Sequence, residues 1–184
     1  MSSTALPLIL ALDVAGTTGC AEGRPGEKPR TWKWRLGGDG STRPERLFKL
    51  LTLLSEHLVV SKPKIIVIEA PINVRGMDTL LFLVGAVGVC EAVARGRGVY
   101  DQMHANVQDV RGYFIQRRNF PSPKRGGEKD AGKKLVMQRC QDLGWNPQGY
   151  DESDAAAAWA WACHKRYPRH APHVEPLLIG VNGR

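Results

Sequence analysis

Four carboxylates occupy positions from which their side chains can be aimed. Asp13 follows the apolar run Leu8-Ile9-Leu10-Ala11-Leu12, and Glu69 closes Ile65-Ile66-Val67-Ile68, so both lie in segments that read as buried strands. A carboxylate taken out of water is costly without a partner. Asp151 and Asp154 open an alanine-rich stretch that runs to Trp159, and their spacing of three places them on one helix face. Each acid alone has a plain structural role: Asp13 before a turn at Gly16, Glu69 beside a lysine at a sheet end, Asp151 and Asp154 as helix caps. As a set, with no cation in their own segments, they are hard oxygen donors suited to a divalent metal.

The elements that must carry them follow from periodicity. Leu6–Ala15 reads as a central strand, Gly19–Gly23 as a short strand after a tight Gly-Thr turn, and Thr31–Leu36 as a third, with Trp32 and Trp34 on one face and Lys33 and Arg35 on the other. Leu47, Leu50, Leu51, Leu54 and Leu58 recur at helical spacing from Pro44 to Val60, with Pro44 in a first turn. Lys64–Ala70 is then a parallel strand reached by a right-handed crossover. Met77–Ala94 is a helix apolar almost all round, and Gly85, Ala86 and Gly88 would let another helix approach it. Gly98–His104 reads as a strand, and Asn106–Ile115, Asp130–Leu143 and Asp151–Tyr167 as helices. Trp159 and Trp161 lie two apart, so one is expected inside and the other freer. A mixed five-stranded α/β sheet with helices on both faces brings the ends of two strands and the start of the last helix to one end, where the carboxylates meet.

At 184 residues, 42% hydrophobic and 24% charged, the chain suits a single domain over 1–167 and a partly ordered tail over 168–184. The run Leu80–Cys90 is too short to span a bilayer, and the start lacks a basic leader, so no membrane partner is expected. Cys20, Cys90, Cys140 and Cys163 form no C-x-x-C pair, which fits reduced thiols and a cytoplasmic location. Cys163, His164, His170 and His173 are a weak metal hint. The net charge of +8 is local: nine Lys or Arg against Glu128 and Asp130 between Arg111 and Arg139 account for +7 of it. Interrupted by Pro121, Pro123, Gly126 and Gly127, this stretch reads as a phosphate-contacting loop leading into a helix, with Arg117, Arg118, Lys124, Arg125 and Lys129 on nucleic-acid backbone. A solvated basic face is the alternative.

The ordered set resembles the RuvC-like Holliday-junction resolvases of the RNase H-like superfamily. The resemblance runs from about Leu8 to His164 through Asp13-Val14-Ala15-Gly16-Thr17-Thr18-Gly19, then Ile66-Val67-Ile68-Glu69-Ala70-Pro71, Lys133-Lys134-Leu135-Val136 and the D-x-x-D-A helix at Asp151 and Asp154. Leu143-Gly144-Trp145 ahead of the acidic pair is similar to the compact phage-type members. The resemblance implies an RNase H-like fold and a Mg²⁺- or Mn²⁺-dependent endonuclease cutting four-way junctions with two ions per active site. One ion would activate water and the other stabilise the leaving oxygen, giving 5′-phosphate and 3′-hydroxyl ends. It also implies Asp13 as the bridging ligand, Glu69 and Asp151 as partners to either ion, Asp154 on the hydrolytic ion, and Lys133 or Lys134 against the scissile phosphate. It implies a homodimer through the helix after the glutamate strand. The family often has an aromatic wedge after that glutamate; here Ala70-Pro71-Ile72-Asn73 stands in its place, so junction opening falls to Ile72, Asn73 or other residues.

Three other readings stay open. One is an RNase H-like nuclease for flaps, single strands or RNA, as in YqgF-like relatives, and another a catalytically silent DNA-binding subunit. The segment Asp13–Ala21 also resembles the phosphate loop of actin-like ATPases and sugar kinases, but those folds need two such domains and give the D-x-x-D helix no role.

Overall fold

The computed structural model describes residues 5–71, 76–121 and 128–172. Strand β1 (Ile9–Asp13) is central, which is why Ile9 to Leu12 are apolar and fully buried on both faces. It pairs antiparallel with β2 (Thr17–Gly23), which pairs antiparallel with the edge strand β3 (Arg30–Arg35). On its other side β1 pairs in parallel with β4 (Ile65–Glu69), and β4 with β5 (Asp101–Ala105), giving the order β3-β2-β1-β4-β5. The mixed sheet of the sequence reading is therefore present, with helices on both faces.

One face is covered by α1 (Arg43–Ser61) and α2 (Met77–Gly96). A capping box between Thr42 and Glu45 starts α1, Pro44 sits in its first turn, Leu50, Leu54 and Leu58 are buried, and the chain leaves at Lys62 in a left-handed conformation. The α2 helix starts at Met77 as read and ends two residues past Ala94, but the expectation that its apolar run is too short for a bilayer does not extend to the whole helix. At 20 residues and mean hydropathy 1.8 it is long and apolar enough to cross a bilayer on length and composition. It gives a Phe82, Ala86, Cys90, Ala94 stripe to the core and leaves Met77, Leu81 and Val84 exposed.

The other face holds α3 (Val107–Phe114), α4 (Ala131–Asp142) and α5 (Tyr150–Arg166), followed by a short 3-10 turn at Pro168–His170. Residues Glu152 to Cys163 of α5 are all buried, because the helix is wedged between the sheet and the two other helices. Its alanines permit that close approach. Enclosure on every side also corrects the reading of the tryptophans: Trp159 and Trp161 are both buried, and Trp159 donates to the Gly23 carbonyl at 3.1 Å. The start of α5 is seated by Glu152, which accepts from the Thr31 hydroxyl at 3.1 Å and the Gln148 N–H at 3.0 Å.

Candidate active site

Register aligns the strand-borne acids. Leu12 lies opposite Ile68, so the next step along this parallel pair sets Asp13 beside Glu69 at one sheet end. Ile9 and Ala11 of β1 and Ile65 and Val67 of β4 all pack on the α5 side, and by strand alternation Asp13 and Glu69 share that face. The α5 helix supplies the remaining pair. Asp13 is opposite Gly19 of β2, and a Cβ on Gly19 would lie 1.9 Å from the Asp151 carbonyl oxygen. The sequence reading began the second strand at Gly19; β2 begins two residues earlier, at Thr17, so Gly19 lies inside it and is the seat on which the first turn of α5 rests. That seat brings Asp151 and Asp154 against Asp13.

Asp13 feels the charge of each of the other three acids. Asp13 is held well above the ordinary carboxylate range by burial first, then by the charges of Glu69 and Asp154, with a further contribution from Asp151. Burial, with Asp154 adding to it, pushes Glu69 up to about 7, against the pull of Arg111 and Lys133. Asp154 is raised to about 6 by burial, again opposed by Lys133 and Arg111. Among the described residues no three His, Cys, Asp or Glu side chains are gathered closely enough to ligate one ion as they stand. The chemistry of the set nonetheless fits a divalent cation: hard oxygen donors from three elements, of which Asp13, Glu69 and Asp154 are lifted toward the protonated state chiefly by burial.

The two lysines separate. Consecutive helical residues point about 100° apart, so Lys133 Nζ reaches Asp154 Oδ2 at 4.0 Å while Lys134 turns outward to pair with Glu128. Of the two, only Lys133 stands beside one of the four carboxylates. Arg111, which the sequence reading counted only as part of the basic stretch, belongs to the site. It lines a cleft of about 300 Å³ with Asp13, Glu69, Ala70 and Pro71, and its buried Nε has no hydrogen-bond partner among the described residues. Gly132 makes room for it, since a Cβ there would stand 3.1 Å from the guanidinium carbon. A lone arginine on a short amphipathic helix carries no sequence mark of this role.

The remaining assigned residues lie farther out or outside the described residues. Arg117 covers the Phe120 ring at 4.7 Å, Arg118 lies 3.8 Å from Asp109, and Lys129 is exposed, so all three are available at the surface. Arg139 is buried and leaves the basic surface. Ile72, Asn73, Lys124, Arg125 and His173 fall outside the described residues. The cysteine and histidine hint finds no support: burial pushes the Cys163 thiol up to about 12, which disfavours the ligating thiolate, and His164 stacks on Tyr113 at 4.5 Å.

No protein-family profile matches the chain, and no curated protein matches it by sequence. Solved structures do. RuvC from T. thermophilus in complex with a Holliday junction substrate superposes with a TM-score of 0.65 at 14% identity, over 89% of this chain and 95% of that one. A second Thermus thermophilus RuvC structure gives 0.61 at 17% identity, over 88% and 95%. The chain has the RuvC fold. The yeast mitochondrial Holliday junction resolvase is similar too, with a TM-score of 0.54 at 13% identity over 91% of this chain and 85% of that one. The RuvC fold is RNase H-like, as the ordered motifs implied.

Proposed function

We propose that the chain is a metal-dependent endonuclease that cuts four-way junctions and related branched DNA, leaving 5′-phosphate and 3′-hydroxyl ends. The observation that carries this reading is the meeting of Asp13, Glu69, Asp151 and Asp154 at one sheet end with Lys133 and Arg111 beside them. Asp13, Glu69, Asp151 and Asp154 would hold Mg²⁺ or Mn²⁺. Two such ions supply water activation and leaving-group stabilisation in phosphodiester hydrolysis. The protein's own part is to hold the carboxylates on rigid strand and helix ends and to keep two cations at the rim. Lys133 and Arg111 would steady the phosphate as negative charge builds on its oxygens. Arg117, Arg118 and Lys129 would hold the flanking backbone.

Cleavage of synthetic four-way junctions, flaps, plain duplexes, single strands and RNA–DNA hybrids in Mg²⁺ tests this. Preference for the junction is expected; equal cutting of flaps or hybrids would move the chain to the broader nuclease reading, and no cutting to a silent binding subunit. Within that assay Lys133→Ala should slow single-turnover cleavage by about 10²-fold, the usual effect of losing one transition-state donor, and Lys134→Ala by no more than about twofold. Equal effects of the two would remove the assignment of Lys133.

We further propose a homodimer across α2. Val84 is 55% exposed and forms an apolar stripe with Met77 and Leu81, and a Cβ on Gly88 would meet nothing within 4 Å. Gly85 is different, because Leu47 of α1 occupies its space at 3.2 Å. Gly88→Leu and Val84→Glu should therefore yield a folded monomer whose melting temperature no longer rises with protein concentration, whereas Gly85→Leu should destabilise the α1–α2 contact itself. Light scattering decides, and a wild-type protein already monomeric at micromolar concentration ends the proposal.

A further inference from the structure

The row that carries the acids continues past β1. Glu69 and Asp13 are followed across the sheet by Gly19 of β2 and then by Lys33 of the edge strand β3. Alternation along β3 is fixed by its neighbours: Trp32 and Trp34 lie against His57 of α1, at 5.0 and 5.8 Å between rings, while the Thr31 hydroxyl reaches Glu152 of α5. Lys33 and Arg35 therefore stand on the α5 face, the face of Asp13, and Arg35 pairs with Thr17 one step nearer the catalytic end. Both are exposed, and among the described residues no further strand lies beyond them.

On its α5 face β3 carries Lys33 and Arg35 and no acid, whereas Arg30 stands on the other face and is paired with Glu22 at 3.7 Å. Glu152, the α5 acid that reaches β3, is buried and engaged by Thr31 and Gln148. Arg35 Nε donates to the Gly37 carbonyl at 3.2 Å. With strands about 4.8 Å apart, Lys33 lies roughly 10 Å from Asp13 across the sheet, about three nucleotide steps at 3.4 Å each along a strand axis. The opposite border is basic as well, through Arg111, Arg117 and Lys133 on and after α3 and on α4. The carboxylates lie between two cationic margins. Charges on an edge strand also discourage pairing between sheets, but that role does not require both residues on the catalytic face at the catalytic end.

We propose that Lys33 and Arg35 form a second phosphate track, holding the cleaved strand on the β3 side of the scissile phosphate while the α3–α4 segment holds it on the other. This rests on the reading of the chain as a DNA nuclease. The test measures binding of a four-way junction in Ca²⁺ by Lys33→Gln/Arg35→Gln and by Arg117→Gln/Arg118→Gln, at several salt concentrations, on DNA with single methylphosphonate linkages either side of the wild-type cut.

Each pair should lower the log–log salt slope by up to about 1.8, near 0.9 per phosphate contact. The β3 pair should also become indifferent to neutral linkages within about three nucleotides on one side of the cut, and the α3–α4 pair to those on the other. The inference is overturned, and the two residues only guard the edge, if the β3 pair keeps the full slope or keeps the wild-type response to every linkage. It is equally overturned if both pairs lose sensitivity at the same linkages. A wild-type protein that binds no DNA would overturn the nuclease reading itself, so the two failures are distinct.

Discussion

Replacing Asp13 by Asn is expected to give a protein that is more stable without metal and cuts nothing. The Asp13 carboxylate is buried against Glu69 and Asp154 and held well above its ordinary range, so removing its charge relieves repulsion that nothing but a cation can offset. The pH dependence has a definite sign. A carboxyl whose folded value is raised contributes stability that is fully present below its unfolded value, about 4, and is lost as pH rises through the folded value. With Asp154 raised to about 6 and Glu69 to about 7, the wild-type protein in EDTA should lose melting temperature between about pH 4 and pH 7, and Mg²⁺ should restore it above that window. Asp13→Asn in EDTA at pH 8 should melt higher than wild type, by about 2–4 °C for each kcal/mol relieved. Its cleavage rate should fall by about 10³-fold or more, since a bound metal contributes several kcal/mol to phosphoryl transfer and 1.4 kcal/mol is tenfold. Glu69→Gln should behave alike. Wild-type cleavage by either variant, or a wild-type protein that gains stability from pH 5 to 8 in EDTA, would remove the carboxylate set from the mechanism.

What could be read in the sequence were features written locally. An acid at the end of an apolar strand breaks a pattern, as Asp13 and Glu69 do, and the i, i+3 pair on α5 is visible wherever the helix lies. The frame of α1 was legible for the same reason, since Pro44 and the leucines each mark it independently, although the Thr42–Glu45 capping box that starts it was not read. Pairwise facts between distant segments left no local trace. Arg111 and Arg139 look like their neighbours in the basic stretch, yet one points at the carboxylates and the other is buried. The choice between Lys133 and Lys134 depends on the rotation of α4 about its axis. One of Trp159 and Trp161 was expected to be freer because a helix normally has a wet side, and α5 has none over its buried run.

Gly19 is the residue where those two kinds of information meet, and Gly19→Ala is expected to damage fold and site together. Its neighbours in the row are Asp13 on one side and Lys33 on the other, and above it lies the backbone of Asp151. An added Cβ would come within 1.9 Å of the Asp151 carbonyl oxygen and 2.3 Å of its carbon, and backbone at a helix start cannot rotate away as a side chain would. Either β2 or the first turn of α5 must shift by more than an ångström. Overpacking of this kind costs about 1–3 kcal/mol and sometimes more, so the melting temperature should drop by about 2–4 °C per kcal/mol. Any shift of α5 carries Asp151 and Asp154 away from Asp13 and Glu69. In catalytic sites a displacement of 1 Å can cost about 10²-fold in rate, so cleavage should fall by at least that much even below the melting transition. Gly96→Ala at the end of α2 is the control, because its Cβ would meet no described atom within 4 Å and alanine is favoured over glycine in a helix. If Gly19→Ala melts and cuts like the Gly96→Ala control and wild type, the first turn of α5 does not rest on β2 as described, and the convergence of the four carboxylates loses its structural basis.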